Sequence, residues 1–300
     1  MYIYLQERGM IQRIPNISRP LVCITATLLL VCGSKKDGPP PENGAVTGAS
    51  EMVLVPAGWF WMGSPSGEKD EQPVHRVWLD SFYIDQFPVT NARYDVFVAE
   101  TNHPKSLYRD NQNCNDPNQP AVGVSWKDAV AYCAWRSKKE NAVFSLPTEA
   151  QWEKAARGDD KRTYPWGNDL PDKKRASTEI TEKMPAVGMC ELGRSPYGVS
   201  DLVGNVWNWC TDWYDRDYYI NSVERNPQGP KKTVRKVVRG GNWVFLGCCS
   251  GTPAYALRAS RRNSFHPSIQ KKSIGFRCAK IPGARGLDAD AKDSGKIDAP

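Results

Sequence analysis

From residue 158 to residue 237, Gly, Pro and Asp recur every few positions, and neither a helical nor a strand period is sustained. The chain of 300 residues holds 24 Gly and 23 Pro together with 11 Trp and 12 Tyr. This composition predicts short elements anchored by aromatic side chains rather than long helices. Because 40% of the residues are apolar, the chain can form a real core, which excludes fibrous and wholly disordered structures. We therefore expect an α+β fold with short strands, few helices and much irregular structure.

Three helices are predicted where a Ser or Thr that can cap a helix precedes apolar residues at spacings of three and four. The predicted helices cover residues 91–100 after Thr90, 126–139 after Ser125 and 149–157 after Thr148. Gln151 can complete a capping box with Thr148 in the third helix. In the second helix, Val130, Cys133 and Ala134 are expected to share the buried side.

Short alternating runs predict strands in the rest of the chain. Residues 51–55 form one such run, and residues 59–63 are predicted as its return strand after the turn at 56–58. Further strands are predicted at residues 77–84, 237–239 and 274–279. No period of 20–50 residues recurs, so residues 51–281 are interpreted as one domain.

The N-terminus has the composition of a targeting segment. Basic residues precede the apolar run 21–31, which ends at Cys32 and is too short to span a membrane as a helix. Residues 1–32 are therefore predicted to be a lipoprotein signal, with Cys32 as the lipidated residue and a plain cleaved signal as the alternative. Residues 33–50 are predicted to be a flexible tether and residues 282–300 a polar tail. The protein is then exported and lipid-anchored at a bacterial cell surface or outer membrane.

The cysteine and histidine counts limit the metal chemistry of the chain. Nine Cys are present and seven of them follow the signal, so an oxidising compartment leaves at least one without an ordinary partner. No Cys-X-X-Cys pair occurs, which gives a zinc knuckle little support. Three His are too few for a His-rich metal enzyme.

The net charge of +7 comes from one segment. Residues 231–280 contain twelve Lys or Arg and no Asp or Glu, so the rest of the chain is acidic overall. Nucleic acid is a conceivable partner for such a stripe, but export argues against it. We expect several of these Arg to pair with acidic residues elsewhere and an acidic glycan or protein to be the better candidate for a ligand.

A series of specific motifs resembles the formylglycine-generating enzyme (sulfatase-modifying factor) family over about 230 residues. They include MVLVPAG at 52–58, PAVGVSW at 120–126, LPTEAQWE at 146–153, VGNVW at 203–207, RGGNW at 239–243 and GFR at 275–277. The resemblance implies a C-type-lectin-like fold with little regular secondary structure. It does not by itself imply the activity, because one fold hosts many functions.

The oxidases of that family use two cysteines after the Gly-Gly motif to bind copper, and the position of the first is Phe245 here. Cys248 and Cys249 are adjacent, and one backbone cannot easily present both as a linear thiolate pair. The chain is therefore predicted not to be an enzyme and to require no cofactor. A copper- or thiol-dependent oxidase and a structural envelope lipoprotein stay open as alternatives.

The segment 240–273 resembles that of the Treponema variable proteins, whose ligand site is rewritten by a diversity-generating retroelement. Mutated Asn codons in such systems never encode Lys, Gln, Glu, Met or Trp, and residues 244–269 contain none of these five. A surface that accepts many side chains cannot be core, because burying random residues creates cavities or unpaired polar groups. Residues 240–273, here called the variable segment, are therefore predicted to be a loop or irregular strand that binds a protein or glycan.

Fixed neighbours are expected to hold the variable segment in place. The candidates are Trp243, Arg258 and Arg262, with Gly240 and Gly241 allowing a tight turn. Between them, exposed side chains are predicted to contact the ligand. The predicted ligand-binding residues are Val244, Phe245, Leu246, Cys248, Cys249, Tyr255, Ser264, Phe265 and His266.

The family resemblance also implies a cation site and a disulfide. Asp201, Gly204, Val206 and Asn208 fall where the family builds a calcium site, although Asn208 replaces a carboxylate. Cys133 and Cys278 match a family disulfide between the second helix and the last strand.

Two further groups have simpler interpretations. Glu149 and Glu153, one helical turn apart, are interpreted as structural residues, with Arg157 as a partner for one of them, rather than as an acid/base pair. Trp207, Trp209 and Trp213 are interpreted as core anchors, and the lectin-like fold that the resemblance implies keeps a sugar-binding platform open as the alternative.

Overall fold

A computed structural model of the chain describes residues 51–177, 181–243 and 252–284. All three predicted helices are confirmed. Side-chain oxygens of Thr90, Ser125 and Thr148 accept hydrogen bonds from the first turns of their helices, and Gln151 completes the predicted capping box. The described helices are α1 Asn91–Thr101, α2 Trp126–Glu140, α3 Glu149–Arg157 and the one-turn α4 Pro253–Ala256.

Ten short strands form two four-stranded sheets and one hairpin within the described residues. The first sheet has the order β1-β4-β10-β5, and the second has the order β8-β7-β6-β9, in which only β6 and β9 are parallel. The hairpin consists of β2 and β3. The strands are β1 Met52–Val55, β2 Gly58–Met62, β3 His75–Leu79, β4 Phe82–Asp85, β5 Phe144–Ser145, β6 Trp207–Trp213, β7 Lys236–Arg239, β8 Arg262–Phe265, β9 Ile274–Gly275 and β10 Ala279–Lys280.

Three strand predictions were wrong in their pairing or extent. Residues 59–63 are not the return strand of 51–55, because β1 pairs with β4 while β2 pairs with β3. The predicted strand 77–84 is two strands that part between Leu79 and Phe82 and enter different sheets. The predicted strand 274–279 divides in the same way into β9 and β10.

The core lies between the sheets and the helices, and Trp207 and Trp209 are buried in it as predicted. Trp213 is half-buried. The buried side of α2 consists of Ala129, Tyr132, Cys133 and Arg136. Ala134, which was expected on this side, is exposed.

Among the described residues, no helix combines the length and apolar character that a membrane span needs. The predicted signal 1–32 and tether 33–50 lie outside the described residues, as does the predicted tail beyond residue 284.

Candidate ligand-binding site

Two glycines and a buried Trp lie at the start of the variable segment. Gly240 and Gly241 have φ angles of +104° and +72°, in the left-handed region that favours glycine. A Cβ atom on Gly240 would overlap the carbonyl oxygen of Leu202. Trp243 is buried, and its backbone N–H donates to the carbonyl of Asn205 at 2.9 Å. The entry to the segment is thus fixed by residues of the loop before β6.

Arg258 anchors the segment after α4. Its Nη2 donates to Oε1 of Glu71 at 2.5 Å, and Ser260 Oγ donates to Oε2 of the same carboxylate at 2.7 Å. Glu71 is wholly buried and belongs to the short 3-10 helix Lys69–Glu71. The predicted role of Arg258 as a fixed neighbour therefore agrees with its burial and its partner.

Arg262, on β8, is held by α3. Its Nε and Nη2 donate to the two carboxylate oxygens of Glu149 at 2.8 and 2.9 Å. Arg239, at the end of β7, donates to Glu149 at 2.9 Å and to Glu153 at 2.6 Å. Glu153 also accepts from Arg157 at 2.8 Å, so the structural interpretation of both glutamates is confirmed.

Burial by itself would raise the pKa of Glu149, but Arg262 and Arg239 outweigh it and hold that pKa below its usual range. The carboxylate is therefore charged in the core. Removing one partner of such a buried pair typically costs about 3–5 kcal/mol of stability. The expectation that Arg of the basic stripe pair with acidic residues elsewhere is confirmed at Arg239, Arg258 and Arg262.

The structure describes four of the predicted ligand-binding residues, and it places some of them at the surface and one in the interior. Tyr255 is half-buried on α4 and its hydroxyl donates to Glu68. Phe265 is half-buried, while His266 is exposed and its ring Nδ1 hydrogen-bonds to Ser268. Ser264 is buried, against expectation, because the alternation of β8 turns residues 262 and 264 inward.

The variable segment also contains more regular and buried structure than the predicted loop. It includes α4 and β8, and Ala256, Leu257 and Ala259 are core residues. Val244, Phe245, Leu246, Cys248 and Cys249 lie outside the described residues. Their predicted contacts with a ligand stay predictions.

Cys133 and Cys278 lie side by side in the core, as the family resemblance implies. Their Sγ atoms are 3.5 Å apart, which is longer than the bond of about 2.05 Å in a disulfide. The disulfide between them stays a prediction.

The four positions implied as a calcium site do not fit a cation. Oδ1 of Asn208 accepts from Nε of Arg277 at 2.6 Å, and the carbonyl of Val206 accepts from Nδ2 of Asn208 at 2.8 Å. Burial raises the pKa of Asp201 to about 6, and its carboxylate accepts from the backbone N–H of Gly188. A guanidinium group already occupies the oxygen that a metal would need, so the geometry gives calcium no support. Nowhere in the described ranges do three or more His, Cys, Asp or Glu side chains cluster to hold a metal.

Residues 39–282 match the family model of the Sulfatase-modifying factor enzyme 1-like domain. The chain belongs to this family. Its fold is the C-type-lectin-like fold of formylglycine-generating enzymes and variable proteins, as the sequence resemblance implied. The solved structure of PvdO from Pseudomonas aeruginosa has a TM-score of 0.67 at 28% identity, with 77% of this chain and 94% of that chain covered. Treponema denticola variable protein 1 has a TM-score of 0.63 at 22% identity, with 77% and 95% covered, which supports the fold alone.

The sulfatase-modifying factor family includes active and inactive members. The chain is 32% identical over 287 residues to the formylglycine-generating enzyme of Streptomyces coelicolor, covering 77% of this chain and 88% of the enzyme. It is 31% identical over 291 residues to the inactive C-alpha-formylglycine-generating enzyme 2 of Bos taurus, covering 77% and 88%. It is 34% identical over 251 residues to the serine/threonine-protein kinase pkn1 of Chlamydia caviae, covering 77% of this chain but only 38% of that kinase. Family membership therefore does not decide whether this chain is an enzyme.

Proposed function

We propose that this protein is a non-enzymatic binding protein, exported, lipid-anchored through Cys32 and displayed at the cell surface, whose variable segment forms a diversified ligand site. The observation that carries the proposal is the pair of buried ion pairs from Arg258 to Glu71 and from Arg262 to Glu149. Both acidic partners lie outside the segment.

Because the acidic partners of Arg258 and Arg262 lie outside the segment, we expect the fold not to depend on the side chains between Trp243 and Tyr255. That is the requirement for a site that accepts many sequences, since random side chains in a core would leave cavities or unpaired polar groups. Tyr255 and Phe265 are partly exposed, and aromatic side chains of this kind supply much of the binding energy at interfaces. The exposed His266 adds a polar group that can hydrogen-bond a ligand.

The composition of residues 244–269 supports the same proposal. The absence of Lys, Gln, Glu, Met and Trp is what repeated mutation of Asn codons would produce. Under this proposal Cys248 and Cys249 are two products of diversified codons rather than a reactive pair.

The proposal is tested by comparing two libraries of protein variants. In the full-length protein displayed on cells, one library randomises codons 245–249, and the other randomises codons 239, 258 and 262 to the same degree. We expect most members of the first library and few of the second to stay resistant to protease and to bind a conformation-specific antibody. Equal losses in the two libraries would show that residues 245–249 are needed for folding and would refute the proposal.

The second candidate is a copper- or thiol-dependent oxidase, which the 32% identity to the Streptomyces enzyme favours. It is tested by incubating the purified protein with copper, oxygen and a cysteine-containing sulfatase peptide, with formylglycine measured by mass spectrometry. Phe245 stands at the position of the first catalytic cysteine, so we expect no product. Formylglycine formed by the wild type and lost in the double variant Cys248→Ser/Cys249→Ser would establish the oxidase.

A further inference from the structure

A groove with a volume of about 510 Å³ opens beside β8. Its walls come from four distant parts of the chain, here called together the basic groove: residues 68–70, Tyr214 with Arg216, Arg235, and residues 261–264. Only the last of these parts belongs to the variable segment. The groove therefore joins fixed residues to residues of the predicted ligand site.

The charges that line the basic groove are not balanced. Five cationic side chains face two carboxylates, those of Glu68 and Asp70. Arg262 is neutralised by Glu149, and Arg261 lies 3.4 Å from Glu68. The three cations that remain are Lys69, Arg216 and Arg235.

These three cations are exposed, and none of them makes an ion pair with another residue in the described ranges. The two carboxylates of the groove already have partners. Glu68 accepts from the hydroxyl of Tyr255 besides its contact with Arg261, and Asp70 accepts from the hydroxyl of Tyr214 at 2.8 Å. The hydroxyl of Tyr214 leaves the negative charge of Asp70 in place, so the groove carries a net charge of about +2, with three cations that lack an ion-pair partner.

The remaining lining defines the class of ligand. Asn263 and Tyr214 bring an amide and a hydroxyl group to the walls, and both can hydrogen-bond sugar hydroxyls. Small-molecule sites typically have volumes of roughly 300–1,000 Å³, so the groove is large enough for one or two sugar rings rather than only a simple ion. Arg side chains bind carboxylate and sulfate groups through two parallel hydrogen bonds.

We propose that the basic groove binds an anionic saccharide, with Arg216 and Arg235 contacting its carboxylate or sulfate groups. This inference rests on the proposed binding function, because residues 261–264 belong to the variable segment. Arg216 and Arg235 lie outside it, so they supply a constant charge preference while the segment supplies variable contacts.

The test measures binding of the full-length wild-type protein to four probes by calorimetry at low salt. The probes are a sulfated oligosaccharide, an oligogalacturonate, a neutral maltooligosaccharide and single-stranded DNA. The variant Arg216→Gln/Arg235→Gln removes two groove charges. Its matched control, Lys231→Gln/Lys232→Gln, removes two exposed charges that do not line the groove.

We expect at least one anionic saccharide to bind, the neutral one to fail, and the groove variant to lose about tenfold or more in affinity, or about 1.4 kcal/mol. The control variant is expected to keep wild-type affinity. Binding of the oligogalacturonate would indicate recognition of carboxylate groups, and binding of the sulfated oligosaccharide would indicate recognition of sulfate groups. Equal losses in the two variants, tighter binding of DNA than of either saccharide, or no saccharide binding by the wild type would each refute the proposal.

Failure of the saccharide proposal can be distinguished from failure of the proposed binding function. If the wild type binds no saccharide but residues 245–249 tolerate randomisation, the ligand class is wrong and the variable binding site stands. If the saccharide binds but that library does not fold, the groove stands without a diversified site.

Discussion

Arg262 joins β8 to α3 through two parallel hydrogen bonds to the carboxylate of Glu149, at 2.8 and 2.9 Å. The same carboxylate accepts from Arg239 at 2.9 Å, at the end of the strand that leads into the variable segment. Glu149 therefore joins the residue just before the segment to β8 within the segment, from a helix that is not part of the segment.

Replacing Arg262 by Gln is expected to lower the free energy of unfolding by about 3–5 kcal/mol, because it leaves the buried Glu149 with only Arg239 as an ionic partner. Urea denaturation followed by circular dichroism measures this change. The control is His266→Gln, at an exposed position four residues away, which is expected to change stability by less than about 0.5 kcal/mol. Similar effects of the two substitutions would contradict an anchoring role for Arg262.

A second prediction concerns pH. Burial, followed by repulsion from Glu149, raises the pKa of Asp212 to about 7, whereas an unfolded Asp titrates near about 3.9. Between these values the folded protein keeps a proton that the unfolded chain has released, so this group lowers stability as the pH rises from about 4 to about 7. The variant Asp212→Asn lacks this titration and is expected to gain stability relative to the wild type across that window.

Urea unfolding of both proteins at about pH 5 and about pH 8 measures the difference. Asp217→Asn, which removes an exposed carboxylate, is the control and is expected to show no comparable trend. A stability difference between Asp212→Asn and the wild type that does not depend on pH would count against the raised pKa.

The sequence predicted the helices well because their signals are local. Thr90, Ser125 and Thr148 each cap a helix through a residue three positions later, so both partners stand within one turn of sequence. The strand pairings failed because they depend on distant partners. For example, β1 pairs with β4 rather than with the adjacent β2, and nothing in residues 51–63 specifies that choice.

The same limit applies to the candidate site. The family motifs located the segment, and its lack of acidic residues indicated that its Arg would pair elsewhere. The identity of the partners was not predictable, because Glu71 is 187 residues from Arg258 and Glu149 is 113 residues from Arg262. The basic groove was missed for the same reason, since Lys69 and Arg216 reach it from outside the basic stripe.

The turn into the variable segment gives a third prediction. Gly240→Ala is expected to destabilise the protein in two ways, through the strain of a positive φ and through overlap of the new Cβ with the Leu202 carbonyl. Gly198→Ala is a matched control, because Gly198 has a φ of +89° but nothing within 4 Å of the added Cβ. We expect the control to lose about 1–2 kcal/mol from strain and Gly240→Ala to lose at least about 1 kcal/mol more. Equal losses by thermal or urea denaturation would mean that the close approach to Leu202 does not matter.

The last prediction concerns the adjacent thiols of Cys133 and Cys278. Their sulfurs are 3.5 Å apart in the core, so small movements are enough for a bond once the protein is in an oxidising compartment. If the protein is exported as proposed, non-reducing mass spectrometry of the protein isolated from the cell envelope is expected to detect a peptide that joins residues 133 and 278. Reduction is then expected to expose two additional free thiols. Because this bond closes a long loop, its reduction is expected to cost about 2–4 kcal/mol of stability. Cys133→Ser is the control, since it should abolish the joined peptide and leave stability insensitive to reductant. A free-thiol count that reduction does not change would instead show that the two cysteines stay reduced and contribute to the core only as small buried side chains.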